Sequence, residues 1–460
     1  MAVTISGDGS VTGINIEATD IADGTITAAK LSNDIEFGVT TIGNDDTATY
    51  SDGEYFLSST NKVYRLLNDG TSSAWYSLAD GTKQSNNEVS VETTFSAGQY
   101  HSAYVNSDGE LYVAGYNTAG ALGLGDLTDR TSWTKVNIDN VVKVFCTSFA
   151  TFVIKGDGTV WGTGANANGQ LGLGDTTNRT SFTELNITDV SKISGGNHTM
   201  ILKTDGSLWT CGQGGNYALG NGTSTDTSSF AQIVSSGVVD IYGSGSASYY
   251  INSSGAVYSC GYNGYGQLGN GTTTDRTTFG ATTITSGASK FASGWNYNLA
   301  GVIKSDGSLW SCGRNNFYTL NTGNTTDQSS FIQVYSSGVA DATIGSYSIS
   351  VLKTDGSVYS IGYNYYGQIG NGSTNTSSPY AVSSFYQNFS SGSNVVHIYR
   401  GGDHFFIIED DNTISSVGFN DFGQLALGDT TDRTSFVDTG ITDAITEDQA
   451  ASNKTVAELA

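Results

Sequence analysis

The chain has 460 residues, among them 60 Gly, 1 Pro and 26 Tyr; 13% are charged and the formal net charge is −24. A surface of that sign repels phosphate backbones and anionic headgroups, which argues against nucleic-acid partners and membrane binding. No stretch has the ~20 apolar residues that span a bilayer, the opening MAVTISGDGS has neither region of a secretory leader, and four scattered cysteines without a CxxC pair leave stability to packing.

Residues 1–45 are polar and dotted with glycine, with no core-forming period. Within them "DGTITAAKLS" (23–32) resembles the short linker motifs of bacteriophage tail-fibre and other virion-appendage proteins. The resemblance implies an extended segment that attaches to other virion proteins and organises a homo-oligomer, such as a trimer. Residues 46–90, with "EYFLSSTNKVYRLLNDGTSSAWYSL", predict a small β-rich collar module.

Residues 91–445 repeat. Seven glycines (Gly115, Gly164, Gly212, Gly261, Gly313, Gly362 and Gly418) open related phrases, of which "GYNGYGQLGNG" (261–271) is the clearest. Seven residues before each lies a turn pair, mostly Asp-Gly, and eighteen after each lies an aromatic: Trp133, Phe182, Phe230, Phe279, Phe331, Tyr380 and Phe436. Asp-Gly between short apolar runs, as in "HTMILKTDGSLWTCG" (198–212), predicts a β-hairpin, because both residues accept positive φ. Two further strand-like runs follow in each copy. Four short strands in about 50 residues match a propeller blade. The fold class predicted is all-β: a seven-bladed β-propeller of four-stranded blades. The Leu or Ile seven residues after each anchor glycine should plug the space between blades. The end, 446–460, is a C-terminal tail.

The hairpin followed by "GYNxxGQLGxG", together with Gly-x-x-His at His101, His198 and His404, resembles the regulator-of-chromosome-condensation repeat family, whose members form seven-bladed propellers. "GQGGNYALG" and "GRNNFYTLN" in the third and fifth copies depart from the phrase.

Turn chemistry accounts for the hairpin aspartates without a metal. The acids of "GDLTDRTSW", "GDTTNRTSF" and "GDTTDRTSF" lack calcium-loop spacing and should pair locally with Arg130, Arg179, Arg276 and Arg433. Three histidines at one repeat position circle the axis and are expected to bond a neighbouring blade's backbone. Cys211, Cys260 and Cys312 stand where other copies have Ala, Thr, Ile or Val, as small apolar residues. No cofactor, metal site or catalytic motif is expected.

Aromatics that vary between copies are the recognition candidates: Tyr262, Tyr265, Phe317, Tyr363, Tyr365, Tyr366, Phe419 and Phe422 in the phrases, and Trp295, Tyr297, Tyr386 and Tyr399 in two longer stretches. Rings beside Asn and Asp suit a host-surface glycan or a protein, and the same rings also suit the blade-to-blade seam. The leading expectation is a bacteriophage virion structural protein, a tail fibre or similar appendage exposed on the virion, not an enzyme, whose propeller displays loops for recognition. The alternative is a protein-binding inhibitor or adaptor, since the family includes a bacterial β-lactamase inhibitor. A glycan-degrading enzyme, or a GTPase exchange factor of the kind the family's best-known member is, ranks below both: the chain has no basic arm.

Overall fold

The computed structural model describes the backbone of three strands between residues 55 and 77, and residues 95–441 other than 107, 297 and 379. The expectations for residues 1–45, for the tail from 446 and for Tyr297 fall outside the described residues. The chain divides into two units, residues 1–90 and 91–460. In the first, Tyr55–Leu57, Val63–Asn68 and Ser73–Ser77 form a three-stranded antiparallel sheet in sequence order.

The second unit is all-β. Seven sheets of four consecutive antiparallel strands make seven blades, the first from Phe95–Ala97 to Arg130–Lys135 and the last from Val395–Arg400 to Arg433–Asp438. The hairpins turn where Asp-Gly predicted: Asp205 Oδ1 accepts from the Ser207 amide at 2.8 Å, and Asp157, Asp306, Asp355 and Asp411 repeat the contact. Second strands such as His198–Lys203 are buried along nearly their whole length, because each blade face packs on a neighbour; fourth strands lie half exposed at the rim.

Leu122, Leu171, Leu219, Leu268, Leu320, Ile369 and Leu425 are fully buried in the seams, as expected. The aromatic eighteen residues after an anchor packs on the preceding blade's phrase. A methyl group on Gly269 would lie 2.3 Å from the Phe331 ring, so this glycine is required by close approach. Blade 6 corrects the sequence alignment. Elsewhere the anchor pairs with a residue fifteen further on, as Gly115 does with Arg130, but Gly362 pairs with Val382. The loop before the fourth strand therefore carries five extra residues. Phe385, packed against the core containing Leu320, takes the seam position, and Tyr380 is freed from it.

The ring closes between blades 7 and 1 without a shared strand. Phe95 meets Phe406 at 4.8 Å between ring centroids, and His404 Nε2 lies 3.1 Å from Ser102 Oγ. His101 reaches Thr151 Oγ1 and His198 reaches Ser248 Oγ in the same way. The histidines do link neighbouring blades, through hydroxyls that donate onward to backbone carbonyls, and His101 also bonds the backbone of Ala150 in blade 2, as expected. Burial pushes the imidazoles of His101 and His198 down to about 4 and that of His404 to about 3, so all three are neutral at pH 7.

Candidate functional site

The loops between third and fourth strands, and those between first and second strands, emerge on one face of the propeller, since each anchor glycine pairs with the residue that opens the second strand. Every phrase except that of blade 3, which has Gly214 at the place, is organised by an Asn two residues after the anchor. The buried Asn263 side chain accepts from the Leu268 amide at 2.9 Å and donates to the carbonyls of Thr272 and Thr274, while its own amide donates to Asp275 at 2.8 Å. Asn117, Asn166, Asn315 and Asn420 do the same work. The Gln six residues after the anchor then accepts from the amide four after it, fixing Asn168, Tyr265, Tyr366 and Phe422 in equivalent places. Both residues recur at fixed offsets, a signal the sequence carried and that reading for aromatics alone passed over.

On this scaffold three positions meet: four after the anchor of one blade, one after the anchor of the next, and fifteen before the anchor of the blade beyond. Phe422, Tyr116 and Phe149 form such a triple, with centroids 5.0 and 5.9 Å apart. Tyr366, Phe419 and Tyr100 form the next, at 4.7 and 6.0 Å. Phe317 and Tyr363 lie 4.8 Å apart, and Asp403 takes the third position. In the fourth, the Arg314 guanidinium lies 4.8 Å from the Tyr265 ring and 5.1 Å from Tyr347. The result is an aromatic crescent over blades 4 to 7 and 1, continuing into the first loop of blade 2. Edge-to-face and tilted pairs of this kind hold each other beyond simple burial. Tyr365 and Tyr380 stand outermost, 5.9 Å apart and 41% and 37% exposed.

Of the candidate residues, Tyr265, Phe317, Tyr363, Tyr365, Tyr366, Phe419 and Phe422 are in the crescent, and Tyr262 adjoins its end, 6.1 Å from Tyr265 but in the triple of Asn216 and Asn298. Three are corrected. Trp295 is 3% exposed: the longer stretch of blade 5 turns inward, and its indole donates to Ser148 Oγ of blade 2 at 2.6 Å, across the ring. Tyr399 lies in the first strand of blade 7, where its ring meets Phe95 at 5.0 Å in the closing seam. Tyr386 is exposed, but on the fourth strand of blade 6 rather than in the loops. Tyr100, Phe149, Tyr347, Asp403, Arg314 and Tyr380 are crescent members that the sequence reading did not propose.

Asp403 gives the crescent its charge. Burial pushes its carboxyl up to about 6, against the Gln368 amide that donates to it at 3.1 Å and against Arg400. The hydroxyls of Tyr100, Tyr363 and Tyr366 are raised by burial, and further by Asp403. Burial, with Asp421 nearby, raises Asp432 as well.

Other titratable groups have structural partners. Arg130, Arg179 and Arg433 pair with Asp126, Asp175 and Asp429 at 2.6–2.7 Å. Arg276 departs from the expectation: Thr272 stands where the others have Asp, and the guanidinium donates to the Ala281 carbonyl. Cys211, Cys260 and Cys312 are free and buried, their thiols raised by burial and hence unreactive.

The regulator of chromosome condensation (RCC1) repeat matches residues 157–202, 254–300 and 355–408, and a second form of it matches 93–121 and 141–170. Among solved structures, human WBSCR16 is similar with a TM-score of 0.62 and 19% identity, over 72% of this chain and 94% of that one. Yeast RCC1 (Prp20), solved with Kap60 bound, gives 0.66 and 14% over 80% and 94%. Prp20p from Saccharomyces cerevisiae, described with its binding to Gsp1p and histones, gives 0.65 and 15% over 80% and 97%. No functionally curated protein matches the sequence with significance. Repeats and shape together define an RCC1-like propeller.

Proposed function

We propose that the protein is a non-enzymatic binding propeller whose aromatic crescent engages a protein partner. The observation that carries this is the pair Tyr365 and Tyr380, exposed on a bed of packed rings at the one blade whose loop is lengthened to present them. Rigid, half-exposed tyrosines ringed by other contacts are what interface hot spots consist of. The similar yeast propeller is described with protein partners, which supports the same class here. The test is a photo-crosslinking residue placed at position 365, and separately at position 216 on the opposite arc. Crosslinks to a defined protein from 365 and none from 216 are expected. Equal yields from both arcs would overturn the assignment.

Display on a virion appendage is a finer form of this reading, supported by "DGTITAAKLS" (23–32). Removing residues 1–45 should then abolish incorporation into particles and homo-oligomer formation while the propeller still melts cooperatively. Unchanged incorporation would remove the virion role and leave the binding propeller.

A further inference from the structure

The crescent is both aromatic and anionic. Asp403, Asp421 and Asp432 all act electrostatically on Tyr366. Among the described residues none of the three has a basic side chain within ion-pair distance, and the nearby Arg433 is committed to Asp429. Nor do the acids converge as a metal-ligand set would.

The same surface already holds one cation. Arg314 occupies the middle position of its triple, where the neighbouring triples have Tyr363, Phe419 and Tyr116. It lies against two rings from different blades, and donates to the Tyr347 hydroxyl at 3.2 Å. The triple geometry thus accepts a planar cation at ring-stacking distance. One triple further round, the ring at the third position is replaced by the carboxylate of Asp403.

We infer that the crescent around Tyr363, Tyr365, Tyr366 and Asp403 binds an arginine-bearing segment of the partner, its guanidinium stacked on tyrosine and paired with carboxylate. This deepens the proposed function and rests on the crescent being the binding surface. Charge complementarity selects the occupant: cation–π attraction and the carboxylate act on the same group, whereas an acidic or phosphorylated segment meets three carboxylates, of which Arg400 offsets Asp403 and Arg433 offsets Asp432 only in part.

The probe is a short Gly-Arg repeat peptide and its citrulline counterpart, which keeps the shape and removes the charge. Titration of the full chain at about 0.3 M salt suppresses attraction to the overall negative charge. The arginine peptide should bind at least about tenfold more tightly, a ratio worth ~1.4 kcal/mol. Asp403→Asn, which keeps an oxygen for Gln368, and Tyr365→Ala with Tyr380→Ala should each erase the preference while the protein still melts cooperatively. Equal affinities, or a preference that survives these substitutions, would overturn the inference. So would neutral oligosaccharide bound in the crescent. If the preference is absent while position 365 still crosslinks, only the cationic partner falls; if the crosslinks are absent too, the protein-binding reading falls with it.

Discussion

The two arcs of the ring share a backbone and differ in what they carry on it. Around blades 2 and 3 the three meeting positions hold Ala119, Ala165 and Asn197, then Asn168, Gln213 and Ser246, then Asn216, Tyr262 and Asn298. In the other four triples ten of the twelve positions are aromatic, and Arg314 and Asp403 hold the remaining two. Yet Gln170 in the plain arc holds the Asn168 amide at 2.9 Å as Gln267 holds that of Tyr265 at 3.0 Å. The anchor glycine stands in every blade, and the Asn and Gln recur in both arcs, as Asn166 with Gln170 and as Asn263 with Gln267. Packing does not demand the rings, because the plain arc folds with Tyr262 as the one ring in its three triples, and that separates scaffold from site.

Acid should strain both arcs together, and it is the largest effect expected. His198 serves the plain arc, His101 and His404 the aromatic one, and all are buried neutral. Their folded values of about 4, 4 and 3 lie below the ordinary 6.5 of the unfolded chain. Between pH 6.5 and 4 the unfolded state takes up protons that the native state excludes, so stability falls as pH is lowered through that window. Asp403 opposes this: its value of about 6, above the unfolded 3.8, makes acidification from 6 to 3.8 stabilising. Three histidines outweigh one aspartate, and urea melts should lose about 4 kcal/mol between pH 7 and pH 5. Asp403→Asn should steepen that loss by ~1 kcal/mol. A flat profile would show that the histidines are not sealed in the seams.

The anchor glycines test whether the backbone is common. Gly164 in the plain arc and Gly418 in the aromatic arc have φ of 108° and 105°, and a methyl group on either would lie 2.4 Å from a backbone oxygen. Alanine at each should cost about 3 kcal/mol, equally in the two arcs. A large difference between the two in denaturant melts would mean that the rings, rather than the backbone, support one side.

The repeat period, the hairpins and the interblade plugs were legible because each is a local rule applied seven times. The site was legible only where it used the same register. Rings one, three and four residues after the anchors stand out, but the position fifteen before them lies outside the glycine-rich phrase, so Tyr100, Phe149 and Tyr347 carry no signal that joins them to it. Tyr380 was aligned with the seam aromatics because a gap slides freely through a polar loop; only the Gly362–Val382 pairing fixes it. Trp295 was misplaced for a related reason. An aromatic in an insertion has the same sequence signature whether it points to solvent or, as here, to Ser148 across the ring.

Truncating the two outermost rings should separate binding from stability. Tyr365→Ala with Tyr380→Ala should weaken partner binding by about thirtyfold, the ~2 kcal/mol of a hot spot. Melting should barely change, since both side chains are well exposed. The same truncations at Asn168 and Asn216 should change neither. Loss of binding from the plain-arc pair would put the interface on the wrong side of the comparison.

The smallest effect is the most discriminating. Asn168→Tyr places a ring on a backbone already held by Gln170 in the geometry of Tyr265. Stability should stay within ~0.5 kcal/mol, because a partly exposed loop position away from the core carries little. The lone ring should also gain no arginine-peptide binding. Its partners in the triple are Gln213 and Ser246, which offer neither a second ring nor a carboxylate, and a single half-exposed cation–π contact is worth only ~0.5–1 kcal/mol. Adding Gln213→Tyr and Ser246→Asp would rebuild the arrangement of Phe317, Tyr363 and Asp403. If the triple is the recognising unit, peptide binding should appear with the third substitution and not before, as a second site in the titration; binding that grows evenly with each ring would assign recognition to aromatic area instead.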